Sequence, residues 1–170
     1  MKAIFKILLG CLVWTYPGKG QPGKSLFEKQ LASGIKELGC SLPDEQEPVK
    51  INAVLIKEKG TDKMAVVIKA LIAPGWHLYA FVPSNMPYIP TQCLLKLPEG
   101  ITAVSDWEKT KPMSSGIAAG VLVWEQEVVF VRRLKVEKSD MKGVIEAGLS
   151  YQTCDLRQCL PPAEKWFNLN

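Results

Sequence analysis

Val49-Lys50-Ile51-Asn52-Ala53-Val54-Leu55-Ile56 reads as a β-strand, Lys59-Gly60-Thr61-Asp62 as a turn, and Met64 to Ala73 as a second, strongly apolar strand. Upstream the period is different. Leu26, Phe27, Leu31, Ile35 and Leu38 form an apolar stripe at helical spacing. Ser25 with Glu28 three residues on has the form of a capping box, and Gly39 supplies a stop, which predicts a helix over residues 26–38 that packs on the domain. Ser41 to Pro48 is polar and proline-bounded, hence a linker.

Downstream, Pro74-Gly75 turns into Trp76-His77-Leu78-Tyr79-Ala80-Phe81. Residues 82–91 hold Pro83, Pro87 and Pro90 and read as a loop. Residues 93–97 and 101–107 read as strands parted by Pro98-Glu99-Gly100. Lys109 to Gly120 is polar and small, a mobile loop. Val128 to Val136 is a clear strand, Lys138-Ser139-Asp140 a turn, residues 143–153 extended, and Glu164 to Leu169 a last edge strand. Eight or so short strands with closely spaced turns and one helix predict an all-β chain folded as a β-sandwich. No internal repeat is evident.

The last extended segment leads into Tyr151-Gln152-Thr153-Cys154-Asp155-Leu156-Arg157-Gln158-Cys159-Leu160-Pro161-Pro162. Five residues of strand would span roughly 16 Å, whereas disulfide Cα atoms lie about 5.5–6 Å apart, so pairing of Cys154 with Cys159 requires a tight reversal. Asp155, Arg157 and Gln158 suit an exposed loop tip. The diproline blocks a helix, so no helix dipole is expected to acidify either thiol. Three readings stay open on the residues alone: exchange chemistry, a structural staple, or metal ligation. So short a loop gives a staple only about 2 kcal/mol of chain-entropy stabilisation. Zinc sites commonly use four ligands and closer cysteine pairs.

Tyr151-x-x-Cys154-x-x-x-x-Cys159-x-Pro161-Pro162, together with Pro74-Gly75-Trp76-His77-Leu78-Tyr79, resembles the N-terminal periplasmic domain of the thiol:disulfide interchange protein DsbD. The resemblance runs over roughly residues 49–170, and the cysteine spacing is one residue shorter than in the best-known members. It implies an immunoglobulin-like sandwich in residues 49–170; residues 21–48, which hold the helix and linker read from the residues themselves, precede it. It implies a redox-active Cys154/Cys159 pair that relays reducing equivalents from a thioredoxin-like donor to oxidised extracytoplasmic thiol proteins. Cys159 would make the intermolecular bond and Cys154 would resolve it, with no cofactor. The family keeps this domain beside a membrane electron-conducting segment and a thioredoxin-like domain. Neither is evident here, so both are expected as separate proteins. The family also shields its cysteines with a cap loop, which by position falls at roughly residues 113–125, with Trp124 a suggested cover. The rival expectation is a non-catalytic immunoglobulin-like binding module or lipoprotein stapled by the same two cysteines.

The chain has 170 residues, enough for one domain with a real core, and a formal charge of +4. Lys2, Lys6 and Lys19 lie in the first 20 residues, which hold no acid. The remainder is near neutral and offers no electrostatic case for nucleic acid. Ile7 to Trp14 is apolar but far shorter than the ~20 residues of a membrane span. Residues 1–20 therefore read as a signal peptide for export, to the periplasm or another extracytoplasmic space. Leu8-Leu9-Gly10-Cys11 also resembles a lipobox, and membrane attachment is expected only if Cys11 is lipidated. Export places the cysteines where disulfides persist. Cys40 and Cys93 are expected free, Cys93 as a small buried thiol in a strand. His77 is the only histidine. No serine motif accompanies it, and it reads as a packed or half-exposed residue among aromatics.

Overall fold

A computed structural model of the chain describes residues 25–116, 118–137 and 143–170. The expected signal peptide, the possible lipid site at Cys11 and the turn at residues 138–140 lie outside them.

Among the described residues, one helix and twelve strands follow in order: α1 (Leu26–Glu37), β1 (Val49–Lys57), β2 (Lys63–Ile72), β3 (His77–Phe81), β4 (Gln92–Lys96), β5 (Ile101–Ala103), β6 (Glu108–Lys109), β7 (Met113–Ser114), β8 (Leu122–Trp124), β9 (Glu127–Val136), β10 (Ile145–Tyr151), β11 (Thr153–Cys154) and β12 (Ala163–Leu169). The pairing is antiparallel throughout. One sheet runs β1-β2-β9-β5, with β6 on the same edge of β9. A second runs β12-β10-β4 and a third β11-β3-β8-β7. β10 and β11 are separated by Gln152 alone, and β3 lies beside β11 as β4 lies beside β10. The second and third sheets thus form one layer facing the first, an immunoglobulin-like all-β sandwich with a single N-terminal helix.

The apolar run of β2 has a physical cause. Met64, Val66, Ile68, Ala70 and Ile72 point into the sandwich, beside Phe130 and Leu134 of the neighbouring β9 and against Ile145, Ala147 and Leu149 of β10 in the facing layer. The alternate residues Ala65 and Val67 point the other way and meet Phe27 and Leu31 of α1. A strand buried on both faces needs no polar alternation. Burying Phe27 and Leu31 stabilises the docked helix by about 2 kcal/mol each. Arg133 of β9 adds ion pairs to Glu28 (2.6 Å) and Glu108 (2.8 Å). These are partly exposed and worth about 1 kcal/mol or less.

The helix starts as its sequence predicts, with the Ser25 hydroxyl accepting from the Glu28 N–H at 3.3 Å. The Glu28 carboxylate, however, turns to Arg133. Leu26 is exposed rather than part of the buried stripe. The strand expected over residues 101–107 is cut short. Ser105 and Asp106 bulge out, Asp106 pairs with Arg132, and pairing with β9 resumes only at β6. Within the segment read as a loop, Met113–Ser114 pairs with β8.

Gly148 of β10 lies where β12 crosses closest. A Cβ built there would sit 2.0 Å from the Lys165 carbonyl oxygen, a backbone atom that cannot step aside alone. Gly148→Ala is therefore expected to cost roughly 3 kcal/mol, read as a lowered urea midpoint. An unchanged midpoint would contradict the close β10–β12 contact.

Candidate functional site: a disulfide hairpin on the outer face of a sheet

Cys154 and Cys159 are joined, with Cα atoms 4.0 Å apart. The chain reverses between them as a short hairpin. Leu160 N–H donates to the Thr153 carbonyl at 2.9 Å, and Asp155 N–H donates to the Gln158 carbonyl at 2.9 Å. The cysteines sit between these two bonds as a directly opposed antiparallel pair. That is the position where facing strands approach most closely, which suits a bridge between them. The tip is held by Asp155, whose Oδ1 accepts from the N–H groups of Arg157 and Gln158, each at 2.7 Å. Those donors hold the Asp155 carboxyl below its ordinary value.

The two sulfurs do not share an environment. Cys154 belongs to β11, paired with β3, and is 1% exposed. Cys159 lies beyond the tip and is exposed. Cys154 packs with Tyr79, Val121 and Val123, backed by Val82, Tyr88 and Ala118. This small cluster is separate from the main core, which takes the neighbouring Leu78 and Trp124. The β11-β3-β8-β7 sheet therefore has two working faces, one closing the sandwich and one carrying the disulfide.

Tyr79 and Tyr88 stack at 4.7 Å with planes 14° apart. With residues 154–159 they line a cleft of about 250 Å³ in which the disulfide lies. Burial, with Tyr88 adding to it, pushes the Tyr79 phenol up to about 12, so it stays protonated. Tyr88 was not singled out from the sequence. It lies in the loop of residues 82–91, pinned by Thr91 N–H to the Tyr79 carbonyl (2.8 Å) and by Ile89 N–H to Gln152 Oε1 (3.1 Å). An aromatic between Pro87 and Pro90 in a short stiff loop was the available signal.

The cap segment at residues 113–125 is divided. Val121, Val123 and Ala118 pack beside Cys154. Trp124 does not cover the sulfurs. It points into the main core, meets Phe130 edge-on at 5.2 Å, and donates Nε1–H to the Thr110 carbonyl at 2.7 Å. The alternation of a strand decides this, since Val123 and Trp124 must face opposite ways.

His77 is buried, the packed alternative of the two expected for it. It lies directly across the ladder from Cys154, its carbonyl accepts from Thr153 Oγ1 (3.0 Å), and its ring meets Tyr79 edge-on at 5.0 Å. Burial lowers its pKa, and the Glu125 and Asp155 carboxylates pull the other way. Cys40 and Cys93 are free thiols. Burial raises Cys40 and pushes Cys93 up to about 12, so neither is a ready nucleophile.

A family model described as "Thiol:disulfide interchange protein DsbD, N-terminal" matches residues 42–170. No curated protein matches the chain in sequence. Among solved structures, the DsbD N-terminal domain of Neisseria meningitidis in its reduced form is 16% identical, with 79% of this chain and 90% of that chain covered at a TM-score of 0.42. The DsbD N-terminal domain in complex with the PilB N-terminal domain, from the same organism, is 16% identical over 68% and 80% at 0.40. A yeast GGA1 GAE domain is 13% identical over 77% and 97% at 0.42.

The Asp155 pKa sets a testable pH dependence. A carboxyl lowered in the folded state stabilises the loop above its ordinary pKa, and that stabilisation is lost as pH falls through the lowered value. The Arg157 and Gln158 amide proton resonances should therefore titrate together below about pH 3.8, the ordinary carboxyl value. Asp155→Ala should remove that titration and broaden both signals. Amides that fail to follow the carboxyl would contradict the hydrogen-bonded tip.

Proposed function

We propose, from the premise that the chain belongs to the family of DsbD N-terminal domains, that it is a thiol–disulfide exchange domain whose reacting groups are Cys154 and Cys159. The observation that carries the assignment of roles is the unequal exposure of the two cysteines. Exchange needs a thiolate to reach one sulfur in line with the bond it breaks. Cys159, the exposed member of the bridge, is the one offered to a macromolecular partner in this reading.

In the first half-reaction a thiolate of a thioredoxin-like partner attacks the Cys159 sulfur. The S–S bond breaks, its electron pair passes to the Cys154 sulfur, and a mixed disulfide forms through Cys159. The partner's second thiol then attacks its own sulfur in that bond. The partner leaves oxidised, and two electrons and two protons remain here as a Cys154/Cys159 dithiol. In the second half-reaction Cys159 attacks the disulfide of an oxidised extracytoplasmic client, and Cys154 attacks Cys159 to release the reduced client. No metal or organic cofactor enters. The proposed setting is an exported domain, residues 49–170, following a signal peptide at residues 1–20 and a helix-and-linker segment at residues 21–48.

Access sets selectivity in this scheme. The only helix among the described residues is α1, which belongs to the other layer. With no helix N-terminus to acidify a thiol, the walls of the cleft decide which thiolate enters. Leu156, at the exposed tip between the cysteines, is an apolar contact for an incoming partner.

Two experiments test the proposal. With a thioredoxin-like donor trapped by removal of its resolving cysteine, Cys154→Ser is expected to accumulate the mixed disulfide and Cys159→Ser to form none. Equal trapping would overturn the roles. The midpoint potential of the pair should lie above about −300 mV, within the catalytic range; a lower value would identify a structural staple.

A further inference from the structure

We propose that His77 takes and returns the proton of the Cys154 sulfur during exchange, through a cleft that His77 lines together with Ser115 and Glu125. The inference rests on the exchange function proposed above.

The placement follows from strand pairing. Directly opposed residues of an antiparallel pair project to the same face, with Cβ atoms about 5 Å apart. His77 and Cys154 are such a pair. Tyr79 is two residues along β3 from His77, on the same face, and packs with Cys154 and Val123. The imidazole therefore lies on the disulfide's own face of the sheet. His77 is 4% exposed, yet its Nε2 has no hydrogen-bond partner among the described residues. A buried polar atom left unpaired costs about 1–3 kcal/mol. Main-chain bonding between β3 and β11 holds this one in place.

A second orphan lies nearby. The Ser115 hydroxyl, in a residue 9% exposed, also lacks a partner, and it lines one cleft with His77, Val123, Glu125 and Leu156. That cleft holds about 400 Å³. Its walls are mostly apolar, but it has room for water to bridge its three polar side chains, the imidazole, the Ser115 hydroxyl and the Glu125 carboxylate at the exposed rim. The charged groups acting on His77 are Glu125, after β8, and Asp155, at the start of the loop. Both are carboxylates that favour the protonated ring, and burial opposes them. Tyr79, the titratable neighbour on β3, stays neutral.

The chemistry needs such a group because Cys154 is the buried sulfur. A thiolate formed there has little solvation, and a thiol there is a weak nucleophile. When Cys154 resolves a mixed disulfide, its proton passes to the neutral imidazole. Its sulfur then bonds to the Cys159 sulfur, and the pair of the broken bond leaves on the client sulfur. The proton departs through the cleft. In the reverse sense the Cys154 sulfur leaves with the electron pair and takes the proton from the imidazolium. Electrons and protons balance without any further reactant.

The test is ring closure with glutathione, which needs no protein partner. The reduced chain reacts with glutathione disulfide, and acid-quenched mass spectrometry follows loss of the Cys159–glutathione adduct from pH 5 to 8. The wild-type rate should rise through an inflection below pH 6.5, as the ring becomes neutral. His77→Gln should close roughly tenfold or more slowly at pH 7 and lose that inflection. An identical rate and profile in the folded variant would overturn the inference. Should the variant not fold, NMR of the unaltered protein decides. The His77 ring should titrate in one step when oxidised and show a second, thiol-linked step when reduced; a single step in both forms overturns it. Failure to exchange with a thioredoxin-like protein, with closure still dependent on His77, would count against the partner relay alone.

Discussion

The pairing of β11 with β3 is the constraint on which the site depends. Two residues, Thr153 and Cys154, are held by Leu78 and His77, and the Thr153 hydroxyl adds a bond to the His77 carbonyl. This ladder fixes Cys154 against a sheet. Cys159, on the return limb, is held by the sulfur bridge and by Leu160 N–H on the Thr153 carbonyl. A difference of five positions in sequence thus becomes a difference between a sulfur in the sheet and a sulfur in solvent. A bridge with one fixed and one accessible end has a defined direction of attack, which a buried staple lacks.

The sandwich supplies rigidity at a distance from this chemistry. β10 runs from the main core into the site with only Gln152 between it and β11, so the packing of Ala147 and Leu149 fixes where Cys154 begins. Gln152 itself holds the loop of residues 82–91 through Ile89. The same short stretch therefore positions the sulfur and one wall of its cleft. Its surroundings come from different connections: Tyr88, a wall of the cleft, from the loop after β3, and Val121 with Ala118, packed beside Cys154, from the turn before β8. The disulfide cluster and the main core lie on opposite faces of the β3–β8 ladder, so the packing around Cys154 is built separately from the β2–β9 core.

Much of the fold was legible because its signals are local. Ser25 caps α1, Lys59 to Asp62 turns β1 into β2, and the glycine and proline positions mark the strand ends. The apolar run of β2 read as a strand, but its second cover, the helix, could not be assigned from β2 alone. The β5–β6 interruption was missed because residues 101–107 keep apolar ends around Ser105-Asp106, and the contacts that mark the bulge, Ser105 Oγ accepting from the Arg133 N–H and Asp106 pairing with Arg132, appear only in three dimensions. The cysteines and their turn residues were legible from spacing. Trp124 misled because aromatic character says nothing of which face a residue takes. Tyr88 was missed because its partner, Tyr79, lies across a loop closure that no periodicity encodes.

His77 shows why the site had to be read in three dimensions. In sequence it is 77 positions from Cys154 and sits among Trp76, Leu78 and Tyr79, a setting that suggests packing. Packing is half of the account, since the residue is buried and edge-on to Tyr79. A phenylalanine could fill that space without leaving a nitrogen unsatisfied. An imidazole there costs desolvation, and hydrogen bonds within the protein do not offset that cost at Nε2. A fold that keeps such a group directly across a ladder from its most buried sulfur retains a local strain that packing alone does not explain. Proton transfer to and from that sulfur gives the group a role in the one place where solvent cannot act directly.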